Sequence, residues 1–262
     1  MADARVLGVI PARLASERLE RKPLVRMAGR PLIEWVWRRV RTFDVLHRVT
    51  VATDAREVAE ACRAFGAPVV MTDSGHASGT ARVAEVASRH AFTAYDIVVN
   101  VQGDEPFMTE EAVAGAVERV RAGFDVGTAA APLGTPEAWR DPAVVKVVCG
   151  DGGRALYFSR APIPYPRDGA PSAAELASGR YLRHVGVYAY TADALTRWVE
   201  LPPSGLERIE RLEQLRPLSA GALSIGVAVV EPVEAGIDTP EDVRRAEVRL
   251  QSSGESSTPS RM

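Results

Sequence analysis

The chain has 262 residues, of which 46% are hydrophobic and 25% charged, with a formal net charge of −2. This is the composition of a soluble globular protein; no apolar run is long enough to span a bilayer, and the near-neutral charge argues against bulk nucleic-acid binding while leaving room for a local basic pocket. The length suits one α/β domain with a projecting subdomain.

In chain order, Val6 to Ile10 reads as a short buried strand and Pro31 to Phe43 as a helix opened by a proline, with Leu32, Ile33, Val36 and Val40 on one side. Val49 to Asp54 is strand-like, Arg56 to Phe65 helical, Pro68 to Met71 strand-like and Thr80 to Arg89 helical. DIVVNVQGDEP, Asp96 to Pro106, is the clearest buried strand, and a helix follows from Glu110 to Arg121. Strands alternating with helices of this length predict an α/β fold with a doubly wound, mostly parallel sheet. From Val126 the texture changes: VGTAAAPL, VVKVVCG, GRALYFSR and YLRHVGVYAY are strand candidates separated by turns, which predicts an antiparallel part. Pro164 to Ser178 is rich in Pro, Ala, Gly and Ser and reads as a long loop. Helices are expected at Ala192 to Val199 and Leu206 to Leu215, a strand at Leu223 to Val230, and a helix from Pro240 to Leu250 begun by the cap sequence DTPED. Residues 251–262 are poor in apolar side chains and are expected to be a disordered tail.

The apolar run near the N-terminus is too short for a signal peptide, so a cytoplasmic location is expected. Cys62 and Cys149 match no metal-ligand spacing and read as free thiols, and His47, His76, His90 and His184 do not cluster. Lysine occurs only at Lys22 and Lys146, the other thirty of the 32 basic residues being arginine. Two readings of the retained lysines stay open: a place where a compact ammonium does what a planar guanidinium does not, or chance, which two residues do not exclude.

Ligands of open parallel sheets bind at the carboxyl ends of the strands. Three groups fall there. Arg13, Arg18 and Lys22 lie in the turn-rich segment PARLASERLERKPL after the first strand, a set suited to a polyphosphate, although GxxxxGK[ST] is absent and composition alone leaves a solvated basic turn equally open. Asp104 in QGDEP follows the apolar strand and suits magnesium where phosphates arrive; an ordinary strand-ending turn is the alternative. Asp238 in GIDTPED stands just before a helix, where N-capping explains it unless the chain brings it opposite Asp104.

The segments IPAR, RLxxKPL, VATD, SGT, VNVQGDEP, VKVV, ALYFSRAPIP, RHVGVYAY, LERIERLEQLR and GIDTPED occur in this order over residues 5–248. The series resembles the 3-deoxy-manno-octulosonate cytidylyltransferases, the CMP-Kdo synthetases. The resemblance implies a Rossmann-like nucleotide-diphospho-sugar transferase fold with an antiparallel dimerisation and acceptor subdomain, one cytidylyltransferase domain over residues 1–250. Its nucleotide part spans about residues 5–125 and its acceptor and dimerisation part about 126–235. It also implies a homodimer that uses CTP, a small acidic acceptor and one or two Mg²⁺ ions, with no nucleic-acid or membrane partner. The implied reaction is attack of the sugar's anomeric hydroxyl on the α-phosphate of CTP with release of pyrophosphate. Pro11, Ala12 and Arg13 would begin the nucleotide loop, with Arg18 and Lys22 on the triphosphate and Ser78, Gly79, Thr80 and Arg82 near the cytidine and its phosphates. Asp104 and Asp238 would hold magnesium, and Arg18, Lys22 and Asp104 would carry the chemistry. Gln102, at the nucleotide as well, joins Arg160, His184, Tyr188, Glu210 and Gln214 around the acceptor, a set suited to a polyhydroxy acid. His184 and Tyr188 are expected on one face of a strand, and Glu210 and Gln214 one helical turn apart beside Leu206, Ile209 and Leu212. Without the resemblance, each of these reads as wall packing or a solvated stripe.

The family usually carries TRLPGKPL where this chain has ERLERKPL, so Glu17, Glu20 and Arg21 replace threonine, proline and glycine. Loss of the glycine removes easy access to positive φ, and two added carboxylates repel a triphosphate unless they pair with Arg21 or Arg13. Ala81 and Pro166 also depart from the family pattern, which has glutamate and aspartate there. Besides CMP-Kdo synthesis for lipopolysaccharide, two readings stay open at this level: cytidylyl transfer to another small acid such as phosphonoformate, and a nucleotide-binding regulator without catalysis.

Overall fold

The structure is a computed structural model that describes residues 4–14 and 18–252, so Glu17 and residues 253–262 lie outside it. In chain order its elements are β1 (Val6–Pro11), a 3-10 turn (Lys22–Leu24), β2 (Arg26–Met27), β3 (Arg30–Pro31), α1 (Leu32–Val40), β4 (Arg48–Thr53), α2 (Arg56–Ala64) and β5 (Val69–Met71). There follow α3 (Gly79–Ser88), β6 (Ile97–Val101), α4 (Glu110–Arg121), β7 (Val126–Pro132), α5 (Pro136–Arg140), β8 (Lys146–Cys149), β9 (Ala155–Ser159) and α6 (Ala173–Ala177). The chain ends with β10 (Leu182–Thr191), α7 (Ala192–Glu200), α8 (Gly205–Glu210), α9 (Leu215–Ser219), β11 (Ile225–Val229) and α10 (Pro240–Ser252).

The chain divides into two compact units. The first comprises Leu7–Phe92, Asn100–Met108 and Glu234–Met262. Here β1 pairs in parallel with β4, Leu7 opposite Arg48 through Pro11 opposite Ala52, and β4 pairs in parallel with β5. Val6 to Ile10 are buried without exception, which is why β1 is a run of branched apolar residues rather than an alternating strand. α1 buries Leu32, Ile33, Val36 and Val40, the stripe expected from its spacing. Cys62, buried on α2, is a free thiol whose pKa burial pushes up to about 12.

The second unit comprises Met1–Val6, Thr93–Val99 and Thr109–Val233. Antiparallel pairing dominates it: β10 runs against β7 and β8, and β8 against β9, while β11 pairs with β7 in parallel. α4 packs over β7, β10 and β11. The approach is so close that a side chain at Gly127 would place its Cβ 1.8 Å from the Ala116 carbonyl oxygen. The antiparallel part thus stands where the sequence texture changed.

Two local expectations are corrected. Pro164 to Ser178 is not loop throughout, because Ser172 and Glu175 form a reciprocal capping box that starts α6. Leu206 to Leu215 is not one helix: α8 stops at Glu210, Arg211 adopts a left-handed conformation (φ 51°), and α9 begins only at Leu215. Glu210 and Gln214 are therefore not successive turns of one helix, and of the apolar row only Leu212 is buried, Ile209 being 81% exposed.

Arg21 adopts a left-handed conformation that glycine favours, with φ 53° and ψ 34°. A side chain in the left-handed region costs about 1–2 kcal/mol. Its guanidinium is held by Glu57 of α2. The loop thus keeps a glycine-like backbone with an arginine in place, and Arg21 is paired with a helix rather than with the added glutamate Glu20.

Lys146 is fully buried, and its ammonium donates to the carbonyls of Val144 and Arg160 at 2.7 Å and Asp141 at 2.8 Å. Burial lowers its pKa, with Asp141 acting in the opposite sense. Three carbonyls converging on one point match the three donors of an ammonium and not the planar fork of a guanidinium. Truncation would orphan all three carbonyls at about 1–3 kcal/mol each. Urea unfolding of Lys146→Met is expected to show a loss of at least about 3 kcal/mol, with Lys146→Arg giving no recovery; wild-type stability in both would refute the account.

Candidate active site

The first unit carries a cavity of about 1260 Å³ at the carboxyl ends of its strands. Pro11, Ala12 and Arg13 enter it from the end of β1, Gln102 and Asp104 from the turn after β6, and Asp54 from the end of β4. Ser78 and Gly79 enter from the start of α3. The turn after β6 lies against the end of β1 so closely that a Cβ on Gly103 would sit 2.6 Å from the Pro11 carbonyl oxygen. Glycine in QGDEP is thus a packing requirement of the cavity wall.

At this wall one ammonium meets two carboxylates. Lys22 Nζ donates to Asp104 Oδ2 and, at 2.7 Å, to Asp238 Oδ1, while Arg18 donates to the other Asp238 oxygen at 2.9 Å. Burial works against the Lys22 charge, yet Asp104 and Asp238 outweigh it and raise the pKa, so the lysine stays cationic. Asp238 is not the helix cap that its position suggested. Thr239 Oγ1 accepts from the Asp242 N–H, and Asp242 Oδ2 accepts from the backbone N–H groups of Asp238 and Thr239. This reciprocal cap starts α10 and leaves the Asp238 carboxylate to face Lys22.

Two carboxylates that reach one cation from distant parts of the chain form a hard-oxygen donor pair, and Mg²⁺ characteristically takes one or two carboxylates and completes its shell with substrate phosphates and water. The residues present fit that ion. Among the described residues there is no group of three His, Cys, Asp or Glu side chains placed to hold a metal by themselves.

Around the cavity, Ser78 caps α3 by accepting from the Ala81 N–H at 3.2 Å. The N-terminus of this ten-residue helix opens at the cavity, an arrangement favourable to anions. Thr80 is buried in the first turn and does not line the cavity. Arg82 does line it, but its guanidinium is held by Asp54 at 3.1 Å, by Thr72 Oγ1 and by the Asp73 carbonyl at 3.4 Å. Asp54 and His76 are cavity residues that the sequence reading passed over. The rule that singled out Asp104, a carboxylate at a strand end, applies equally to the Asp of VATD. His76 contacts Glu85 at 2.6 Å. Burial of Glu85 opposes its charge, but hydrogen bonds from Arg89, the Asp73 N–H and His76 bring its pKa down to about 2.

The residues expected around an acceptor, other than Gln102, lie in the second unit. Glu210 accepts from Ser159 Oγ at 2.6 Å and from the Arg160 N–H at 2.9 Å. Arg160 in turn donates from Nε to the Glu210 carbonyl at 2.7 Å and from Nη1 to the Pro142 carbonyl at 2.8 Å. Both oxygens of Glu210 are thus engaged in holding the end of β9. His184 lies 2.9 Å from Thr128 Oγ1, edge-on to Phe158 and 5.2 Å from the Tyr188 ring. Burial lowers the His184 pKa to about 4 and raises that of Tyr188 well above the usual phenol range, so both are neutral near pH 7. Gln214 is buried in the turn before α9.

A family profile described as Cytidylyltransferase matches residues 7–228. A 3-deoxy-manno-octulosonate cytidylyltransferase of Gemmatimonas aurantiaca is 56% identical over 242 residues, covering 92% of each chain. One of Syntrophotalea carbinolica is 44% identical over 94% of this chain and 98% of its own. A solved CMP:2-keto-3-deoxy-manno-octonic acid synthetase complexed with CTP matches with a TM-score of 0.86 at 38% identity, over 95% of this chain and 100% of its own. The inositol-1-phosphate CTP transferase of T. maritima, at 15% identity, 95% coverage of this chain, 96% of its own and a TM-score of 0.63, shares the fold. The chain belongs to the cytidylyltransferase family and, within it, to the 3-deoxy-manno-octulosonate cytidylyltransferases.

Proposed function

We propose that this protein transfers CMP from CTP to the anomeric hydroxyl of 2-keto-3-deoxy-manno-octonic acid (Kdo), releasing pyrophosphate and serving lipopolysaccharide synthesis. The observation that carries the reading is the Lys22 ammonium held between Asp104 and Asp238 in a cavity also lined by Arg13 and Arg18. Nucleotidyl transfer needs alignment and charge stabilisation more than covalent catalysis, and this set supplies both. Arg13, Arg18 and Lys22 bind the triphosphate, Arg18 and Lys22 balancing charge that grows on the departing pyrophosphate. Pro11, Ala12, Ser78, Gly79 and Gln102 wall the nucleotide; Arg82 and buried Thr80 support that wall. Asp104 and Asp238 would hold Mg²⁺, which when bound supplies Lewis-acid polarisation of the α-phosphate and a lowered pKa for the attacking hydroxyl.

On the acceptor side, Arg160 recognises the sugar's carboxylate, and His184, Tyr188 and Gln214 its hydroxyls. Glu210 contributes by fixing Arg160 rather than by a free carboxylate. Homodimerisation belongs to the same proposal and is supported by exposed Leu156 on β9 and Leu206 and Ile209 on α8. Among the described residues no helix is long and apolar enough to cross a membrane; we assign the enzyme to the cytoplasm, where CTP is made. The relatives' names lend no support to a phosphonoformate acceptor or to a regulator without catalysis.

With CTP, Mg²⁺ and a panel of acidic acceptors, pyrophosphate release is expected with Kdo and not with phosphonoformate, and Asp104→Asn should slow it by at least about a hundredfold. Release with phosphonoformate alone would overturn the acceptor, and undiminished turnover in the variant would overturn the metal and lysine assignment.

The neutrality of His184 gives a pH signature. Its folded pKa is about 4 against an ordinary 6.5, so between these values the unfolded chain binds a proton that the folded chain refuses. Stability must therefore fall as pH drops through this window. From pH 7 to pH 5 the wild type is expected to lose about 2 kcal/mol more than His184→Asn in urea unfolding, and equal losses would contradict the neutral ring.

A further inference from the structure

We propose that Thr128 is a positioning residue that holds His184 in a single neutral tautomer, with the proton on Nε2, leaving Nδ1 as the ring's acceptor for a hydroxyl of the incoming sugar. The inference rests on the assignment of His184 to acceptor binding made above.

Thr128 Oγ1 has one proton and two neighbours placed to take it. Thr128 is fully buried on β7, and its hydroxyl has one proton to give. Its Oγ1 lies 2.7 Å from the Val187 carbonyl, which can only accept, and 2.9 Å from His184 Nε2. If the hydroxyl gave its proton to the ring, the Val187 carbonyl oxygen would face a bare oxygen lone pair at 2.7 Å in a dry interior, an unsatisfied and repulsive contact. The proton therefore goes to Val187, Oγ1 meets the ring as an acceptor, and Nε2 must carry the hydrogen. A neutral imidazole with Nε2–H has its lone pair on Nδ1. Burial supports the neutral form, since it lowers the ring's pKa to about 4.

The backbone is shaped for this arrangement. The β7–β10 ladder is regular from Leu182 to Val185 and then jumps, Val185 standing opposite Ala129 but Tyr188 opposite the next residue, Thr128. This bulge leaves Gly186 and Val187 without partners on β7, and the Val187 carbonyl accepts from the Thr128 side chain. The ring plane is fixed by Phe158, edge-on at 5.3 Å, and by Tyr188. Thr128 acts through His184 and fixes which nitrogen is the acceptor, in the way that outer partners set the tautomer of functional histidines.

The test is a long-range ¹H–¹⁵N spectrum of the full chain labelled at its four histidines, with His184→Asn used for assignment. His184 is expected to show a pyridine-like Nδ1 and a pyrrole-like Nε2. Thr128→Val keeps the shape and removes the acceptor. It should shift His184 toward a mixture of tautomers and raise KM for Kdo about tenfold with KM for CTP unchanged, and Thr128→Ser should restore both. A pyrrole-like Nδ1 in the wild type, or a Thr128→Val spectrum with the tautomer unmoved, would overturn the role of Thr128 whatever the kinetics. A shifted tautomer with KM for Kdo unchanged in both Thr128→Val and His184→Asn would instead overturn the acceptor assignment beneath it. Should Thr128→Val fail to fold, the wild-type and Thr128→Ser spectra still decide the tautomer.

Discussion

Asp104 and Asp238 are two like charges that would repel each other at the edge of a sheet, and the ammonium of Lys22 is what lets them share one place. The three residues are far apart in the chain, Lys22 lying 82 residues from Asp104 and 216 from Asp238. One contact therefore ties together the turn after β1, the turn after β6 and the start of α10. An isolated surface ion pair contributes little, but Lys22 is mostly buried and its pair is a three-centre one. The rest of the first unit serves this point. The parallel strands bring their carboxyl ends to one edge, Gly103 lets two turns touch, and the Thr239–Asp242 cap frees the Asp238 carboxylate.

The second unit solves a different problem by similar means. There the buried cation, Lys146, is matched by carbonyls instead of carboxylates, and its bond to the Arg160 carbonyl continues into the Glu210 hydrogen bonds around the Arg160 N–H and Nε. The role proposed for Arg160 asks for a guanidinium in a fixed orientation, and these bonds restrict its backbone and part of its fork. The two lysines of an otherwise arginine-only chain thus occupy the two places where several acceptors converge on a point charge.

The parallel half of the fold was legible because buried strands such as IVVNV and amphipathic helices such as Leu32 to Val40 each announce their period. The break after α8 was not: Leu206, Ile209 and Leu212 keep a helical spacing, and only the left-handed backbone at Arg211 ends the helix, a conformation for which arginine carries no signal. DTPED marks the start of α10, but the sequence does not say which of Asp238 and Thr239 turns back to the helix. Arg21 is instructive in the other direction. An arginine where the resembled pattern has glycine predicts a reshaped loop, yet the backbone at Arg21 has positive φ and Glu57 holds the side chain at α2. Asp54 and His76 stayed hidden because each stands in an ordinary strand-end or loop context, and only the cavity shows them facing one space.

The central claim is that chemistry in the first unit depends on one compact ammonium between two carboxylates, not on positive charge in general. Replacing Lys22 with arginine keeps the charge and changes only its shape. Measured as pyrophosphate release at saturating CTP, Mg²⁺ and Kdo, Lys22→Arg is predicted to fall by at least about a hundredfold; turnover within about threefold of wild type would contradict the account.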